Sequence, residues 1–128
     1  MVISILGVAA FSQAIRNPAY TMFGENFLGS VALIWVASLL PILIHELGHA
    51  LTVKHYGREV PRGGVMLYFG MPAAFVETTD IWLEPKRARL AVTWNGPYTG
   101  LIVGGLAAMF IYLNPSAPIN SFLFKMLF

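Results

Sequence analysis

The sequence contains no cysteine. That excludes a disulfide framework and a thiolate metal site, so any bound metal must take nitrogen or oxygen ligands. Charge is scarce too: Asp, Glu, Lys and Arg make up 11% of the 128 residues, under half of the roughly 25% usual in soluble domains. Apolar residues make up 57%, and they are bunched into runs where a soluble core would spread them at packing periods. The composition is that of an integral membrane protein, with lipid as its main solvent. The net charge is only +2, and six of the eight Lys and Arg residues (Lys54, Arg58, Arg62, Lys86, Arg87, Arg89) lie in one interrupted stretch. That is a membrane-topology signal, too sparse for a nucleic-acid surface, and no nucleic acid is expected as a partner.

A single membrane domain over residues 1–128 is expected, all-α in class, with three transmembrane helices. Residues 1–16 form the first helix: the run is uncharged up to Arg16, and Asn17-Pro18 breaks it. Neither a basic start nor a small-residue cleavage site marks it as a signal peptide. Residues 27–56 form the second helix, uncharged from Phe27 to Ile44, with Pro41 loosening its ladder and Gly57 ending it. Residues 60–77 change character. Gly63-Gly64, Gly70 and Pro72 interrupt stretches such as Val65-Met66-Leu67-Tyr68-Phe69, which suit a short hairpin or re-entrant segment. At membrane depth such backbone must be sheltered by protein or a wet cavity, so this segment is expected to pack on the second helix and line a substrate path. Residues 78–89 carry Asp80, Glu84 and three basic residues, placing them at an aqueous interface where Trp82 fits an aromatic belt. Residues 88–113 form the third helix; it contains Gly96, Pro97, Gly100, Gly104 and Gly105, and the Gly100 to Gly105 region is expected to be a packing face. Residues 114–128 are an apolar tail too short to span. The basic residues between the second and third helices place that connection, and the N-terminus, on the cytoplasmic side.

The chemistry lies in His45-Glu46-Leu47-Gly48-His49. Two histidines four residues apart on a helix project from one face, one turn apart, and can offer imidazole nitrogens to one metal ion. Glu46 lies a step around the helix, placed to take a proton from a water that the metal acidifies and to pass it to a leaving amine. The pattern is that of metal-assisted peptide hydrolysis, with zinc as the cofactor, His45 and His49 as ligands and Glu46 as the catalytic base. Two histidines and a carboxylate inside a span are costly and therefore functional by default. Hydrogen-bonding residues at the water boundary are the bland alternative. Haem ligation, a third possibility, gives Glu46 no role. A catalytic zinc takes three protein ligands, so one must come from elsewhere. Asp80 and Glu84 are the nearest acidic candidates, although solvated interface carboxylates are the simpler reading of both. His55, ten residues after His45, is turned away from the motif face.

A membrane helix ending in His45-Glu46-Leu47-Gly48-His49-Ala50, a Gly-rich strand-like segment, and a further helix opening with Asn95-Gly96-Pro97 together resemble the site-2 protease family of intramembrane zinc metalloproteases. Residues 64–82 (GVMLYFGMPAAFVETTDIW), followed by Arg89-Leu90-Ala91, look most like its bacterial putative peptide zinc metalloprotease branch. The resemblance extends over about residues 31–108 and covers the front part of the catalytic core. It implies a membrane-embedded zinc metalloendopeptidase that cleaves peptide bonds in or near the bilayer of the bacterial inner membrane. The motif would face the cytoplasmic side, and the substrate would be a peptide or a membrane protein. In the family the third zinc ligand is an aspartate, usually followed by Gly, on a later helix, whereas the only aspartate of this chain is Asp80, followed by Ile81. The family's Asn three residues after the Gly-Pro proline is replaced here by Gly100. These departures leave an alternative: a catalytically inactive protease-fold subunit that binds or stabilises partner membrane proteins.

Overall fold

The structure is a computed structural model and describes residues 2–17 and 26–127. Helix α1 spans Val2–Arg16, α2 Phe27–His55, α3 Lys86–Leu113 and α4 Asn120–Met126; strands β1 (Gly63–Tyr68) and β2 (Met71–Val76) and a 3-10 helix over Thr79–Leu83 lie between α2 and α3. The break expected at Asn17-Pro18 reaches Pro18, which lies outside the described residues, as do Met1 and Phe128 at the ends of the expected 1–16 and 114–128 segments.

Two of these helices are long and apolar enough to cross a membrane. With 29 and 28 residues, α2 and α3 would each measure roughly 40 Å at 1.5 Å per residue, against a hydrocarbon core of about 30 Å. Only 6% of the most apolar stretch of α2 and 28% of that of α3 is buried within the protein. Leu28, Val36, Leu40, Leu47 and Leu51 of α2 are exposed, as expected of a helix that meets lipid. Pro41 and Pro97 both sit inside helices that continue past them.

The expected fold class is therefore corrected on two counts. Among the described residues, two helices and not three are long and apolar enough to span: α1, at 15 residues, measures about 22 Å and is short of the hydrocarbon thickness. Nor is it all-α, because β1 and β2 form an antiparallel two-stranded sheet. With two spans in place of three, the assignment of the N-terminus to the same side as the basic connection no longer follows. The apolar tail, expected only to be too short to span, contains α4 after the turn around Pro115 and Pro118.

The chain divides into two compact units. One comprises Met1–Pro41 and Leu101–Phe128. Its core joins Ala14, Ile111 and Phe124 in one cluster and Ala37, Ala107 and Met126 in another, with Leu123 and Leu127 packed against both. Here α1 runs against α3 at glycine: a Cβ on Gly7 would lie 2.3 Å from the Cα of Gly105. Small residues at such a contact let two backbones approach more closely than any side chain allows.

The other unit, Ile42–Gly100, carries the motif. Its core is Val53 from α2, Ile81 from the 3-10 helix, and Ala88 and Val92 from α3, with Val60 packed on them. Helix α2 ends as expected at glycine: Gly57 adopts a φ of 71°, its N–H donates to the Lys54 carbonyl (2.9 Å) and that of Arg58 to the Val53 carbonyl (3.2 Å). This pair of bonds is a Schellman cap. Two contacts then hold the connection to the 3-10 helix. Arg58 Nε donates to Glu84 Oε1 at 2.7 Å, and the Glu59 N–H donates to Asp80 Oδ2 at 3.0 Å.

The hairpin falls within the expected 60–77 segment. Its turn is Phe69-Gly70, both at positive φ (51° and 78°), the pattern of a type I′ turn whose twist matches the strands. Pro72 pairs with Leu67, one step from the Tyr68–Met71 pair that closes the turn. In a two-residue hairpin the closing pair is the hydrogen-bonded one, so Pro72 falls where no ladder N–H is needed. All six residues of β1 are exposed, so the hairpin's burial comes through β2, where Pro72 is buried. Phe69 holds a left-handed conformation that costs an ordinary L-residue about 1–2 kcal/mol. Phe69→Asn, which creates the favoured Asn-Gly pair, should stabilise the hairpin by about 1 kcal/mol, read as slower amide hydrogen exchange across β1 and β2.

Candidate metal centre

The site is built where α2 and α3 meet within the Ile42–Gly100 unit. On α2, His45 and His49 lie one turn apart, and their Nε2 atoms converge to 3.1 Å. Their rings stand edge to face, 4.8 Å between centroids and 77° between planes. The Nδ1 N–H of His49 donates to the Val92 carbonyl of α3 at 2.7 Å. A ring whose Nδ1 carries the proton presents a lone pair at Nε2, so this bond fixes both the orientation and the tautomer that a metal ligand needs.

Two glycines make room for this arrangement. A Cβ on Gly96 of α3 would lie 2.2 Å from His49 Nε2 and 2.8 Å from His45 Nε2. Only glycine leaves the space in front of the two nitrogens open. On the other helix, a Cβ on Gly48 would lie 2.6 Å from Thr99 Oγ1 and 3.0 Å from the Asn95 carbonyl. Each helix therefore presents a glycine to the other.

Polar side chains hold the two helices in register. Asn95 Nδ2 donates to the Gly48 carbonyl at 2.8 Å and to Thr52 Oγ1 at 2.5 Å. The Thr52 hydroxyl donates to the same Gly48 carbonyl at 2.8 Å, and that of Thr99 to the Gly96 carbonyl at 2.7 Å. The Thr52 and Thr99 bonds to Gly48 and Gly96 stay within their own helices; the two Asn95 bonds cross between them, as does a longer bond from the Thr99 hydroxyl to the Ile44 carbonyl at 3.4 Å. Asn95 and Thr52 thus fix α3 one residue before the glycine that faces the histidine pair.

The geometry fits two positions of a tetrahedral zinc site. With Zn–N bonds of 2.0–2.1 Å, adjacent ligand nitrogens stand roughly 3.3 Å apart, close to the 3.1 Å between the two Nε2 atoms. Among the described residues, no group of three or more His, Cys, Asp or Glu side chains could hold a metal. Asp80 accepts the Glu59 N–H and Glu84 is paired with Arg58, so the two acidic candidates serve the loop and leave the third position to another source. His55 is exposed in the last turn of α2, edge-on to Tyr56. Glu46 is half-buried, and among the described residues no hydrogen bond or ion pair engages its carboxylate.

The motif Asn95-Gly96-Pro97 stands out in the sequence, but the sequence gives neither Asn95 nor Gly96 a definite role, and the packing face expected at Gly100 to Gly105 stops short of Gly96. The roles of the Val92 carbonyl, Thr52 and Thr99 were not foreseen. Asn95 and Gly96 could have been found from the rule that a polar side chain and a small residue side by side on a membrane helix mark a close helix contact. A backbone carbonyl such as that of Val92 carries no sequence signal.

No protein-family model matches the chain, and no solved structure matches it. The chain is similar to an uncharacterized protein of Methanocaldococcus jannaschii, with 37% identity over 89 residues. The matched stretch is 68% of this chain and 24% of that protein, so the chain spans about a quarter of its relative's length.

Proposed function

We propose that this protein is a membrane-embedded zinc metalloendopeptidase that cleaves peptide bonds in or near the bilayer. The observation that carries the reading is the convergence of His45 and His49 Nε2 at 3.1 Å, with His49 held through Nδ1 by a backbone carbonyl and a glycine opposite. His45 and His49 would hold zinc, and the third ligand comes from outside the groups described. When bound, zinc supplies Lewis acidity, polarising a scissile carbonyl and acidifying water. Glu46, whose carboxylate is free of other partners among the described residues, takes the proton from the attacking water and delivers it to the leaving nitrogen. Asn95, Thr52 and the Val92 carbonyl hold the ligand helix against α3.

The resemblance to the site-2 protease family supports the same reading, as does the placement of the motif on a helix apolar enough to span. The protein resides in a prokaryotic cell membrane, the resemblance pointing to bacteria and the similar protein being archaeal. The basic connection between α2 and α3, and with it the motif, faces the cytoplasm under the positive-inside rule. The test is cleavage of a membrane-segment peptide by the full chain in detergent. Cleavage should stop on chelation and return with added zinc.

One observation favours a second reading: among the described residues only two histidines are placed to hold a metal. A catalytically inactive subunit that keeps the protease fold and binds or stabilises partner membrane proteins would need no third ligand. Zinc binding without any peptide cleavage, with or without added zinc, would decide for it.

A further inference from the structure

The basic residues of the Ile42–Gly100 unit divide into two sets. Arg58 is paired with Glu84, and Arg62 with Glu77 at 3.1 Å. Lys54, Lys86, Arg87 and Arg89 have no ion pair with any described residue. The fold brings these four to one level: Lys54 follows Val53, Arg87 and Arg89 flank Ala88, and Val53 and Ala88 share one core cluster. The local carboxylates only partly offset them. Glu77 and Glu84 are consumed in pairs, Asp80 accepts a backbone N–H, and Glu59 remains exposed.

Apolar surface continues directly from the cations. Along one face of α3, at helical spacing, come Arg87, Leu90, Trp94 and Tyr98; the last three are 48%, 70% and 45% exposed. Trp94 lies seven residues, about 10 Å, along the helix from Arg87. Beside the first turn, Trp82 is 68% exposed and carries the Arg89 guanidinium 5.2 Å above its ring. Arg89 Nε is buried and has no hydrogen-bond partner among the described residues. A cluster of cations at the end of a spanning helix, followed by an apolar and aromatic strip, matches the amphipathic profile of a phospholipid whose headgroup is anionic.

We propose that the start of α3 holds an anionic phospholipid, its headgroup phosphate bound by Lys86, Arg87 and Arg89 and its acyl chains laid along Leu90, Trp94 and Tyr98. Lys54 adds to the attraction from the end of α2. The proposal rests on the membrane reading of the protein but not on its zinc chemistry. The strip is distinct from the histidine pair, so the lipid acts as an anchor for the helix and not as a substrate.

The test uses quenching of tryptophan fluorescence by lipids brominated in their acyl chains. The full chain with Trp35→Phe, which leaves Trp82 and Trp94 as reporters, is reconstituted into phosphatidylcholine vesicles. These contain an equal minor fraction of either brominated phosphatidylglycerol or brominated phosphatidylcholine, and flotation checks insertion in both. Brominated phosphatidylglycerol should quench at least about two-fold more strongly at the same fraction. The preference should vanish in Lys86→Gln/Arg87→Gln/Arg89→Gln, weaken in Arg87→Gln alone, and persist in Arg58→Gln/Arg62→Gln. Equal quenching by the two lipids in protein that floats would overturn the lipid site and leave the membrane reading intact. So would a preference that survives the triple substitution, or one lost equally in the Arg58 and Arg62 variant. Protein that floats with neither vesicle would overturn both.

Discussion

Gly96→Ala should cripple metal binding by the chain while leaving its helices formed. The added Cβ would meet His49 Nε2 at 2.2 Å and His45 Nε2 at 2.8 Å, far inside any tolerated contact. The His49 ring cannot simply swing away, because its Nδ1 is held by the Val92 carbonyl of α3, one turn before Gly96. Either that bond breaks or α3 shifts, and a shift strains the Asn95 bonds to Gly48 and Thr52. Overpacking of this kind costs about 1–3 kcal/mol, and loss of the group that orients a ligand lowers metal affinity by about 10- to 100-fold. Equilibrium zinc titration in detergent measures the loss, with circular dichroism reporting helix content. Gly100 provides the internal control: one turn further along α3, its Cβ position has nothing within 4 Å, so Gly100→Ala should bind zinc as the wild type does. Equal affinities for Gly96→Ala and Gly100→Ala would show that α3 does not lie against the pair.

Glu46→Gln should separate chemistry from binding. The substitution keeps the size of the side chain and removes its capacity to take a proton. Peptide cleavage should fall by about two to four orders of magnitude, the usual contribution of a positioned general base, while zinc affinity stays within the error of the titration. Glu46 has no partner among the described residues whose loss would disturb the fold, so a parallel fall in stability is not expected. Undiminished cleavage in Glu46→Gln would remove it from the mechanism.

Much of this arrangement was legible in the sequence because its physical signals are local. The spacing of His45 and His49 defines one helix face, and Gly57 marks the end of that helix through the positive φ that its cap requires. Gly63-Gly64, Gly70 and Pro72 mark the strand-like segment, but the strand-suited stretch Val65 to Phe69 ends one residue early, because Phe69 joins Gly70 in the turn. The count of spans was not legible in the same way. Residues 1–16 have the composition of a membrane helix, but α1 is too short to cross, and apolar composition alone does not separate a spanning helix from a packed one. The hairpin's strand character was foreseen, yet the all-α class gave it no weight. Helix α4 lacks the length for a periodic signal to emerge, and its buried Phe124 and Met126 are set by contacts with α1, α2 and α3. The features that finish the site are long-range: Val92 is 43 residues from His49, and Asn95 is 47 from Gly48. Such contacts depend on how two helices cross, which no window of sequence records.

The central claim is that His45 and His49 form the metal-binding core of the protein, and equilibrium zinc titration of the purified full chain tests it most directly. The wild type should show one saturable zinc site, and His45→Ala and His49→Ala should each weaken it about ten-fold or more. Zinc bound with equal affinity by the wild type and both variants would contradict the account.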